Sequence, residues 1–477
     1  MILRLRPAVS RRFFLPNSGR PQIRQESFVV ARRTPNPAKA SGSVLIIVLW
    51  VAFGLVSLTL YFAHSMSLEL RAADNRVAGA EAEQAIAGAA RYVSNILANA
   101  PEPGTLPDTN TYRFAAAPVA EATFWLIGRG DGQSSLDQPG FGLVDEASKL
   151  NLNTATLAML ETLPRMTPEL AAAIVDWRDA DENMTPGGAE SQTYLRLNPP
   201  YRCKNANFES IEELRLVYGA TLDILYGEDV NRSGALDPNE NDGDLSPPGD
   251  NQDGRLDPGV LEYVTVYTRE PNRTTNGMPR VDVSNLRNPA RSSQLLSLLQ
   301  NAGVANTNQV LSLTRTPPVT SLLEFYIRSR MSADDFAKIE SDITVTTNQY
   351  IPGLVNVNTA SAAVLACIPG IGPDKAPSLV GYRQARAGAG TSVAWVKEVL
   401  DQPSALRAGR FLTGKSYQFT ADIAAVGHYG RGYRRVQYVF DTSEGAPKIV
   451  YRQDLTHMGW ALGNPVRNRL LLANTIR

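Results

Sequence analysis

The sequence predicts an α+β chain in which a long N-terminal helix and an antiparallel sheet accompany a large inserted α-helical domain. Three observations predict this fold. No proline occurs from Val44 to Ala100, apolar and polar residues alternate after residue 417, and two copies of a short motif between these regions each open a pair of helical segments. The 477 residues, 43% hydrophobic and 20% charged, are enough for two or three domains with ordinary cores.

The charge is unevenly distributed although the formal net charge is zero. Residues 1–42 contain nine Lys or Arg side chains and one acid, Glu26, and subtracting these from the 47 of each sign leaves 38 basic and 46 acidic residues. A body with this acidic excess is poorly suited to a phosphate backbone, because such binding depends on Lys and Arg releasing counterions. The composition therefore argues against a nucleic-acid partner.

An apolar run near the N-terminus predicts a membrane anchor. Residues 44–63 (VLIIVLWVAFGLVSLTLYFA) contain no charge and no proline. At about 1.5 Å per residue they span roughly 30 Å, the thickness of a bilayer core. The basic residues before the run favour a cytoplasmic N-terminus and translocation of the rest. A cleaved secretory signal is the rival interpretation, but its apolar core has only about 7–15 residues.

The helical pattern continues beyond the apolar run. Ile86, Ala89 and Val93 recur at helical spacing in an Ala-rich segment, and Pro101 follows it. We therefore predict one helix over 43–100, of which about 55 residues would extend roughly 80 Å. Its first half would lie in lipid and its second half would pack on a soluble domain. An ordinary anchor followed by an unrelated helix is the alternative.

The N-terminus resembles that of type IV pilin-like proteins, whose basic leader ends in Gly and is cut by a prepilin peptidase. The matching stretch is 39–42 (KASG) followed by Ser43. The resemblance implies a cleaved leader at 1–42, with processing between Gly42 and Ser43. Ile47 then stands fifth, where most pilins have Glu, and the absence of Glu is a feature of the K-type minor pseudopilin family. A buried Glu needs a partner on a neighbouring subunit, so its absence suits a subunit with nothing above it.

Alternating residues predict the antiparallel sheet in two parts, over 101–148 and over 401–477. A mainly α-helical insertion is predicted between them, over 149–400. The predicted strands are 122–127, 141–145, 417–426, 433–441 and 448–452.

A short motif recurs in the insertion. KLNLNTA occupies 149–155, LVNVNTA occupies 354–360, and the weaker RVDVSNL occupies 280–286. Each is an extended piece that ends in Asn or Ser, which are good N-caps for a following helix. The two strong copies open predicted helical pairs at 154–181 and 359–385.

The second helical pair resembles a helix-hairpin-helix, with the tight turn PGIG at 369–372. In DNA-binding versions the N–H groups of the turn hold a phosphate at a helix start, and Lys375 and Arg383 are placed to assist. The alternative, which the acidic body and the anchor favour, is that Gly370 and Gly372 only allow a close turn. The first pair lacks these glycines.

Residues 145–217 carry the strongest resemblance to the K-type minor pseudopilins of bacterial type II secretion, and 171–219 is similar to the helical domain of that family almost throughout. The resemblance implies a pilin-like core with an inserted helical domain. It implies a single pass through the inner membrane, a C-terminal domain in the periplasm, and a place at the pseudopilus tip, where the subunit caps or initiates assembly for protein export across the outer membrane. The implied partners are the I- and J-type minor pseudopilins, the major pseudopilin and prepilin peptidase.

Residues 229–240 (DVNRSGALDPNE) match the calcium loop of an EF-hand. Such a loop takes oxygen ligands at positions 1, 3, 5, 7, 9 and 12 and has Gly at position 6, where Gly234 stands here. An acidic solvated loop is the alternative. The predicted ligands of calcium are Asp229, Asn231, Ser233, the carbonyl of Ala235, Asp237 and Glu240.

A second acidic cluster extends the predicted calcium region to 229–262. Aligning Gly254 with position 6 puts Gly249 at position 1 and Val260 at position 12. Neither offers a side-chain ligand, so this loop is irregular and would bind a second ion or share the first. Calcium would be structural, because carboxylates crowded between 228 and 262 repel one another without it. The predicted ligands are Asp250, Asp253 and Asp257.

The sequence predicts a scaffold and not an enzyme. His64, His428 and His457 lie far apart, and no G-x-S-x-G, P-loop or H-E-x-x-H motif occurs. Whether Cys203 and Cys367 form a disulfide stays undecided, since sequence does not give the distance between them. Two other hypotheses remain: a membrane-tethered DNA-binding protein of an uptake system that uses the helix-hairpin-helix, and a calcium-dependent surface hydrolase or adhesin.

Overall fold

The computed structural model describes residues 43–112, 116–129, 139–386 and 390–475. The predicted leader, which includes Gly42 of the predicted processing site, lies outside these residues. Ser43 is the first residue of the first helix. The described chain divides into two compact units within this helix, one ending at Glu69 and the other beginning at Leu70.

The first helix, α1 (Ser43–Ala98), is a single helix of 56 residues, as the sequence predicts. It ends just before Pro101, and no proline interrupts it. The large apolar residues of its first part, from Val44 to Phe62, are exposed. Within the described part of the chain, α1 is the one helix long and apolar enough to cross a membrane. The prediction of one continuous helix with an apolar first part is confirmed.

The elements after α1 are mostly short. The helices are α2 (Leu157–Glu161), α3 (Pro168–Arg178), α4 (Ser191–Tyr194), α5 (Leu222–Tyr226), α6 (Pro289–Asn301), α7 (Thr307–Thr314), α8 (Leu322–Ser329), α9 (Ala333–Ile339), α10 (Ala362–Ala366), α11 (Gly372–Ala385), α12 (Val396–Val399), α13 (Gln402–Ala408) and α14 (Gly463–Thr475). The strands are β1 (Ala117–Val119), β2 (Ala122–Gly128), β3 (Gly140–Phe141), β4 (Val144–Asp145), β5 (Leu150–Asn151), β6 (Val264–Thr265), β7 (Arg269–Pro271), β8 (Val281–Asp282), β9 (Ile343–Thr344), β10 (Tyr350–Pro352), β11 (Val355–Asn356), β12 (Leu412–Thr413), β13 (Gln418–Val426), β14 (Arg434–Asp441) and β15 (Lys448–Asp454).

The main sheet is antiparallel and joins the two ends of the chain. Its strands run in the order β1-β2-β13-β14-β15, with β3 paired to β2 and β4 paired to β13. In the register of β2 and β13, Leu126 lies opposite Ile423. The strands predicted near the C-terminus form in this sheet, and so do those predicted before the insertion. The α+β fold with a helical insertion is therefore confirmed.

Both faces of the sheet are covered. The second part of α1 buries a stripe of small residues, including Ala82, Ala85 and Ala89, against one face of β13. Small side chains let a helix backbone approach a sheet closely and still bury apolar area. On the opposite face, Trp125 and Val426 pack in the cluster that covers that side.

The inserted domain consists of three units, each bounded by a parallel pair of two-residue strands. The pairs are β5 with β6, β8 with β9, and β11 with β12. The recurring motifs supply the opening strand of each unit, which explains why the sequence shows three copies. In both strong copies an Asn side chain accepts a hydrogen bond from the backbone N–H of the residue two positions later. Asn151 accepts from Asn153, and Asn356 accepts from Asn358.

One sequence prediction about the insertion is wrong. The Asn residues of the motif do not cap the helices; Thr156 and Ser361 cap α2 and α10, because the Asn side chains are used in the turns before them. The third unit closes where β12 pairs with β11, after residue 400, and the domain boundary at 400 stays a prediction. A two-residue strand is too short to show periodicity, so the sequence gives no sign of this closure.

His428, in the turn after β13, connects the sheet to the second part of α1. Its Nδ1 lies 2.7 Å from Glu81 Oε2, and its Nε2 lies 2.9 Å from Asp74 Oδ1. Hydrogen bonds with these two carboxylates raise the pKa of His428 above its usual value. A raised folded-state pKa contributes stability that is complete below the unfolded value, about 6.5, and is lost as pH rises through the folded value.

We predict that His428→Gln lowers the melting temperature more at pH 6 than at pH 9, because the stability from the raised pKa of His428 is lost as pH rises through the folded-state value. Thermal unfolding of the full chain in detergent at the two pH values measures this difference. The exposed His457 gives the matched control, since His457→Gln removes a histidine that lies on the surface. An equal loss at both pH values for His428→Gln contradicts the charged contact.

Candidate functional site

The predicted calcium loop at 229–240 folds as a tight loop that brings its polar residues together. The two carboxylate oxygens of Asp229 accept hydrogen bonds from the N–H groups of Ser233 and Gly234, at 2.7 and 3.0 Å. Asn231 Oδ1 also accepts from Ser233, at 2.8 Å. Gly234 has a φ of +70°, which a side chain would disfavour. The sharp turn predicted at position 6 is therefore present.

Carboxylates crowd the other side of this loop. Glu240 is buried, its Oε2 accepts the N–H of Asp237 at 2.9 Å, and the second carboxylate oxygen of Asp237 accepts from Asn231 at 2.7 Å. Burial raises the pKa of Glu240 to about 8, and the charges of Asp229 and Asp237 add to this rise. The predicted ligands offer oxygen atoms, which Ca²⁺ prefers, and some of these oxygens also accept hydrogen bonds from nitrogen groups of the loop itself.

Two arginines that the sequence analysis missed fix the loop to the sheet. Arg435 is fully buried, pairs with Asp422 at 2.6 Å, and donates to the backbone carbonyls of Asn231 and Arg232. Arg129 pairs with Glu262 at 2.7 Å and also donates to the Arg232 carbonyl. Asp422 lies in the middle of the otherwise apolar strand β13, and this acid is the sequence signal that could have indicated the contact with Arg435.

The second acidic cluster repeats the hydrogen bonds of the first loop. Asn251 Oδ1 accepts the N–H of Asp253 at 2.8 Å, as Asn231 accepts that of Ser233 in the first loop. The Gly254 N–H donates to Asn241 Oδ1 at 3.0 Å, as the Gly234 N–H donates to Asp229 in the first loop.

The carboxylate at the end of the second loop also comes from elsewhere in the chain. The Asp257 N–H donates to Glu228 Oε2 at 2.9 Å, as the Asp237 N–H donates to Glu240 in the first loop. Asn241 and Glu228 therefore complete a loop whose own positions 1 and 12 are Gly249 and Val260. The fixed spacing of the motif hides them, because they lie 13 residues before Gly254 and 29 before Asp257.

The three ligands predicted in the second cluster differ in their surroundings. Asp250 accepts three backbone N–H groups, from Asp242, Gly243 and Gln252. Although partial desolvation opposes it, these hydrogen bonds lower the pKa of Asp250. Asp250 thus organises its own turn, whereas Asp253 and Asp257 are exposed at the rim.

The two helical pairs form as predicted, and packing accounts for the residues that suggested DNA binding. Lys375 contacts Asp401 at 3.3 Å and Ser404 at 2.5 Å. Arg383 donates to the carbonyls of Val357 and Ala360, at 3.0 and 2.6 Å. Both basic groups therefore have contacts within the insertion.

Gly370 is also explained by packing, since a Cβ there would lie 2.5 Å from the Ser404 carbonyl oxygen on α13. Arg165 holds the corresponding turn position of the first pair, 205 residues earlier, and both residues have positive φ. Arg178 likewise binds the carbonyls of Leu152 and Ala155, as Arg383 does in the second pair. The two pairs are structural copies, and their assignment as helix-hairpin-helix repeats stays a prediction.

The disulfide left open by the sequence is not formed in the described chain. Cys203 and Cys367 are free, buried thiols. The Cys203 thiol lies 3.6 Å from the Asp176 carbonyl and that of Cys367 lies 3.2 Å from the Ala363 carbonyl. They belong to the first and third units of the insertion, so each packs in a different part of the helical core.

Comparison with known proteins identifies one segment. Residues 144–226, from β4 to α5, match the first-domain profile of the family described as "Type II secretion system (T2SS), protein K". This segment contains the first strong motif and the first helical pair. The resemblance to the K-type family is confirmed over the region where the sequence shows it most strongly.

Two curated relatives, both named type II secretion system protein K, agree with this match. That of Pectobacterium carotovorum subsp. carotovorum is 43% identical over 56 residues, 12% of this chain and 17% of the relative. That of Pseudomonas aeruginosa (strain PAO1) is 38% identical over 74 residues, 15% of this chain and 21% of the relative. The chain thus aligns with about a fifth or less of each relative's length.

Among solved structures, a match is found to the crystal structure of the GspK-GspI-GspJ complex from the type 2 secretion system of enterotoxigenic Escherichia coli. The match has 12% sequence identity and a TM-score of 0.37, and it covers 78% of this chain and 93% of the matched chain.

We predict that the chelator EDTA lowers the melting temperature of the full chain and that Glu240→Gln reduces this calcium dependence. Gln can still accept the hydrogen bond from Asp237 but removes the charge that a cation needs. An ion bound only by the folded state stabilises it by about 2.7 kcal/mol at 100 times its Kd, and differential scanning fluorimetry resolves the resulting shift.

The exposed Glu161 provides the control, since Glu161→Gln removes a surface carboxylate without touching the loop. A melting curve that EDTA leaves unchanged, with no calcium detected in the purified protein by mass spectrometry, contradicts the calcium loop.

Proposed function

We propose that this chain is a minor pseudopilin that sits at the tip of the type II secretion pseudopilus, where it caps or initiates the assembly. The observation that carries the proposal is α1. Its first part exposes apolar residues and its second part packs on a sheet. The match of residues 144–226 to the protein K family supports the same assignment.

The exposed part of α1 needs an apolar environment. Exposed patches of this size mark a membrane or a binding surface, and a run of about 20 apolar residues is long enough for a bilayer core. We infer a single pass through the inner membrane with residues after α1 in the periplasm, which agrees with the basic residues before the run. When the subunit leaves the bilayer, the same surface would pack against the helices of other pseudopilins.

Two features support a place at the end of the assembly. Ile47 is 58% exposed and stands where most pilins have the Glu that pairs with a neighbouring subunit. The insertion between β4 and β13 adds three units whose buried apolar residues form one cluster. A body of this size beside a pilin-like sheet would block the addition of a further subunit. The I- and J-type minor pseudopilins are the partners that fit such an assembly.

Calcium would have a structural role in this subunit. We propose that Asp229, Asn231, Ser233, the Ala235 carbonyl, Asp237 and Glu240 hold one ion, and that the loop completed by Asn241 and Glu228 is the place for a second. The bound ion supplies positive charge among buried carboxylates. The chain itself fixes the loop, since Arg435 and Arg129 bind its backbone carbonyls. Ordering the loop would therefore fix the insertion on the sheet.

We predict that the tagged full chain, purified from membranes, co-purifies with the I- and J-type minor pseudopilins and binds no DNA. Val77 lies on α1 and is 54% exposed, so Val77→Arg places a charge on the surface that would meet a partner helix. We expect at least a tenfold loss of co-purified partner, measured by quantitative mass spectrometry.

Leu222 on α5 is 66% exposed and gives the matched control, since Leu222→Arg adds the same charge to the helical domain. Equal recovery of partners with Val77→Arg argues against docking through α1. Tight DNA binding that weakens steeply with salt supports the uptake alternative instead.

We predict that prepilin peptidase removes residues 1–42, so that the mature chain begins at Ser43. Gly42→Asp is expected to leave the leader uncleaved, while Gly19→Asp, a control within the leader, is expected to be cleaved normally. Co-expression with the peptidase, followed by intact-mass measurement, distinguishes the two forms. Unchanged cleavage of Gly42→Asp refutes this processing site.

A further inference from the structure

A cleft of about 600 Å³ lies in the second compact unit, between the end of α1 and the turn that joins β7 to β8. A second hollow of about 400 Å³ borders the same turn. Both are lined by Arg273, Gly277, Arg280 and Gln349. Sites that bind ligands typically have volumes of about 300–1,000 Å³. The cleft is therefore large enough to receive an extended segment of a few residues.

A buried ammonium group forms part of the wall of this cleft. Lys415 is 8% exposed, and its Nζ donates to the hydroxyl of Ser341, which also lines the cleft, at 2.8 Å. Among the described residues, Lys415 forms no ion pair. An ammonium group has three N–H donors, and buried charges are normally paired. Two donors and one positive charge are thus left for a ligand in the cleft.

The charged neighbours of Lys415 leave this charge only partly balanced. Glu270 is committed to Arg280, since the two side chains pair at 2.7 Å. Burial raises the pKa of Glu340 to about 7, so that this carboxyl is only partly ionised at neutral pH. Burial also lowers the pKa of Lys415; the charges of Glu270, Glu340 and Asp342 oppose this fall, and that of Arg280 adds to it. The balance leaves room for one negative charge.

Two acidic residues line the cleft, but neither pairs with Lys415. Glu444 is paired with Arg269 at 3.4 Å and with Lys448. Glu102 is exposed, and water weakens its repulsion of an anion. The acids that border the cleft therefore do not occupy the ammonium group in its wall.

Both hollows contain buried polar atoms that have no hydrogen-bond partner among the described residues. Ser443 Oγ is such an atom in the cleft, and Asn272 Oδ1 is such an atom in the second hollow. A hydroxyl donates or accepts, whereas an amide oxygen only accepts. A ligand that meets both needs donors as well as acceptors, which a peptide backbone has and a simple inorganic anion lacks.

We propose that the cleft binds a carboxylate group of an extended peptide, with Lys415 as its cationic partner. Lys415 would donate to the carboxylate, and Ser443 and Asn272 would meet the peptide groups beside it. A carboxylate carries one negative charge, which the ammonium group balances, whereas a phosphate group carries about 1.5–2 at pH 7. Either the C-terminus of a chain or an Asp or Glu side chain supplies such a group.

Fluorescence anisotropy with the full chain in detergent tests the proposal. The probe is an N-terminally labelled hexapeptide of alanine and glycine in three forms: with a free C-terminal carboxylate, with a C-terminal amide, and amidated with one internal Glu. We expect the plain amide to bind about tenfold more weakly than at least one carboxylate form. The carboxylate form that binds more tightly identifies the source of the group.

Lys415→Met removes the ammonium group and keeps an unbranched side chain, and we expect about a tenfold loss of affinity for the carboxylate peptide. Lys338→Met, at an exposed position on α9, is the matched control and is expected to bind normally.

Circular dichroism confirms that each variant is folded. If Lys415→Met is not, the exposed Arg273 of the shared wall provides a second variant, since Arg273→Gln is expected to weaken binding about threefold. Equal binding of the amide and both carboxylate forms, binding of sodium acetate without any peptide binding, or unchanged affinity in the folded variant overturns the proposal. The test uses the isolated chain and is independent of pseudopilus assembly.

Discussion

The buried pair of Arg435 and Asp422 is the interaction on which the arrangement of the second compact unit depends. Asp422 lies in the central strand β13, and Arg435 lies in the neighbouring strand β14. The guanidinium binds Asp422 and also the carbonyls of Asn231 and Arg232, so that one side chain joins the sheet to the acidic loop. Removing one partner of such a buried pair costs about 3–5 kcal/mol, because an uncompensated charge remains. The pair therefore specifies where the insertion sits, whatever it contributes to net stability.

Strand β13 divides its two faces between the two parts of the fold. Its apolar side, which includes Phe419 and Ile423, packs against α1. On the other side, Thr420 donates to Glu146 at 2.6 Å, and the Gln418 amide nitrogen donates to the Arg269 carbonyl at 3.0 Å. Alternate residues of a strand point to opposite faces, so β13 carries the core under α1 on one side and, in its first half, a polar docking surface on the other.

Much of this fold could be predicted from sequence because its signals are local. Three signals are visible in short stretches of sequence: the absence of proline in α1, the alternation of apolar and polar residues in β13 to β15, and the repeated motif. The pairing of the closing strands could not be predicted, since β6, β9 and β12 have two residues each and their partners lie far away in the sequence. The site shows the same limit. The loop from Asp229 to Glu240 is contiguous and could be predicted, whereas Glu228 and Asn241 reach the second loop through contacts that no spacing rule encodes.

The pairing of β2 with β13 determines the order in which the chain can fold. These strands lie about 300 residues apart, and closing such a large loop carries an entropy penalty that grows with its length. Each unit of the insertion begins and ends on adjacent strands, so it can form while the sheet is still incomplete. The sheet itself waits for the last strands to be synthesised. Until then, the apolar side of β2 and the small-residue stripe of α1 lack the strand β13 that packs with them in the folded chain.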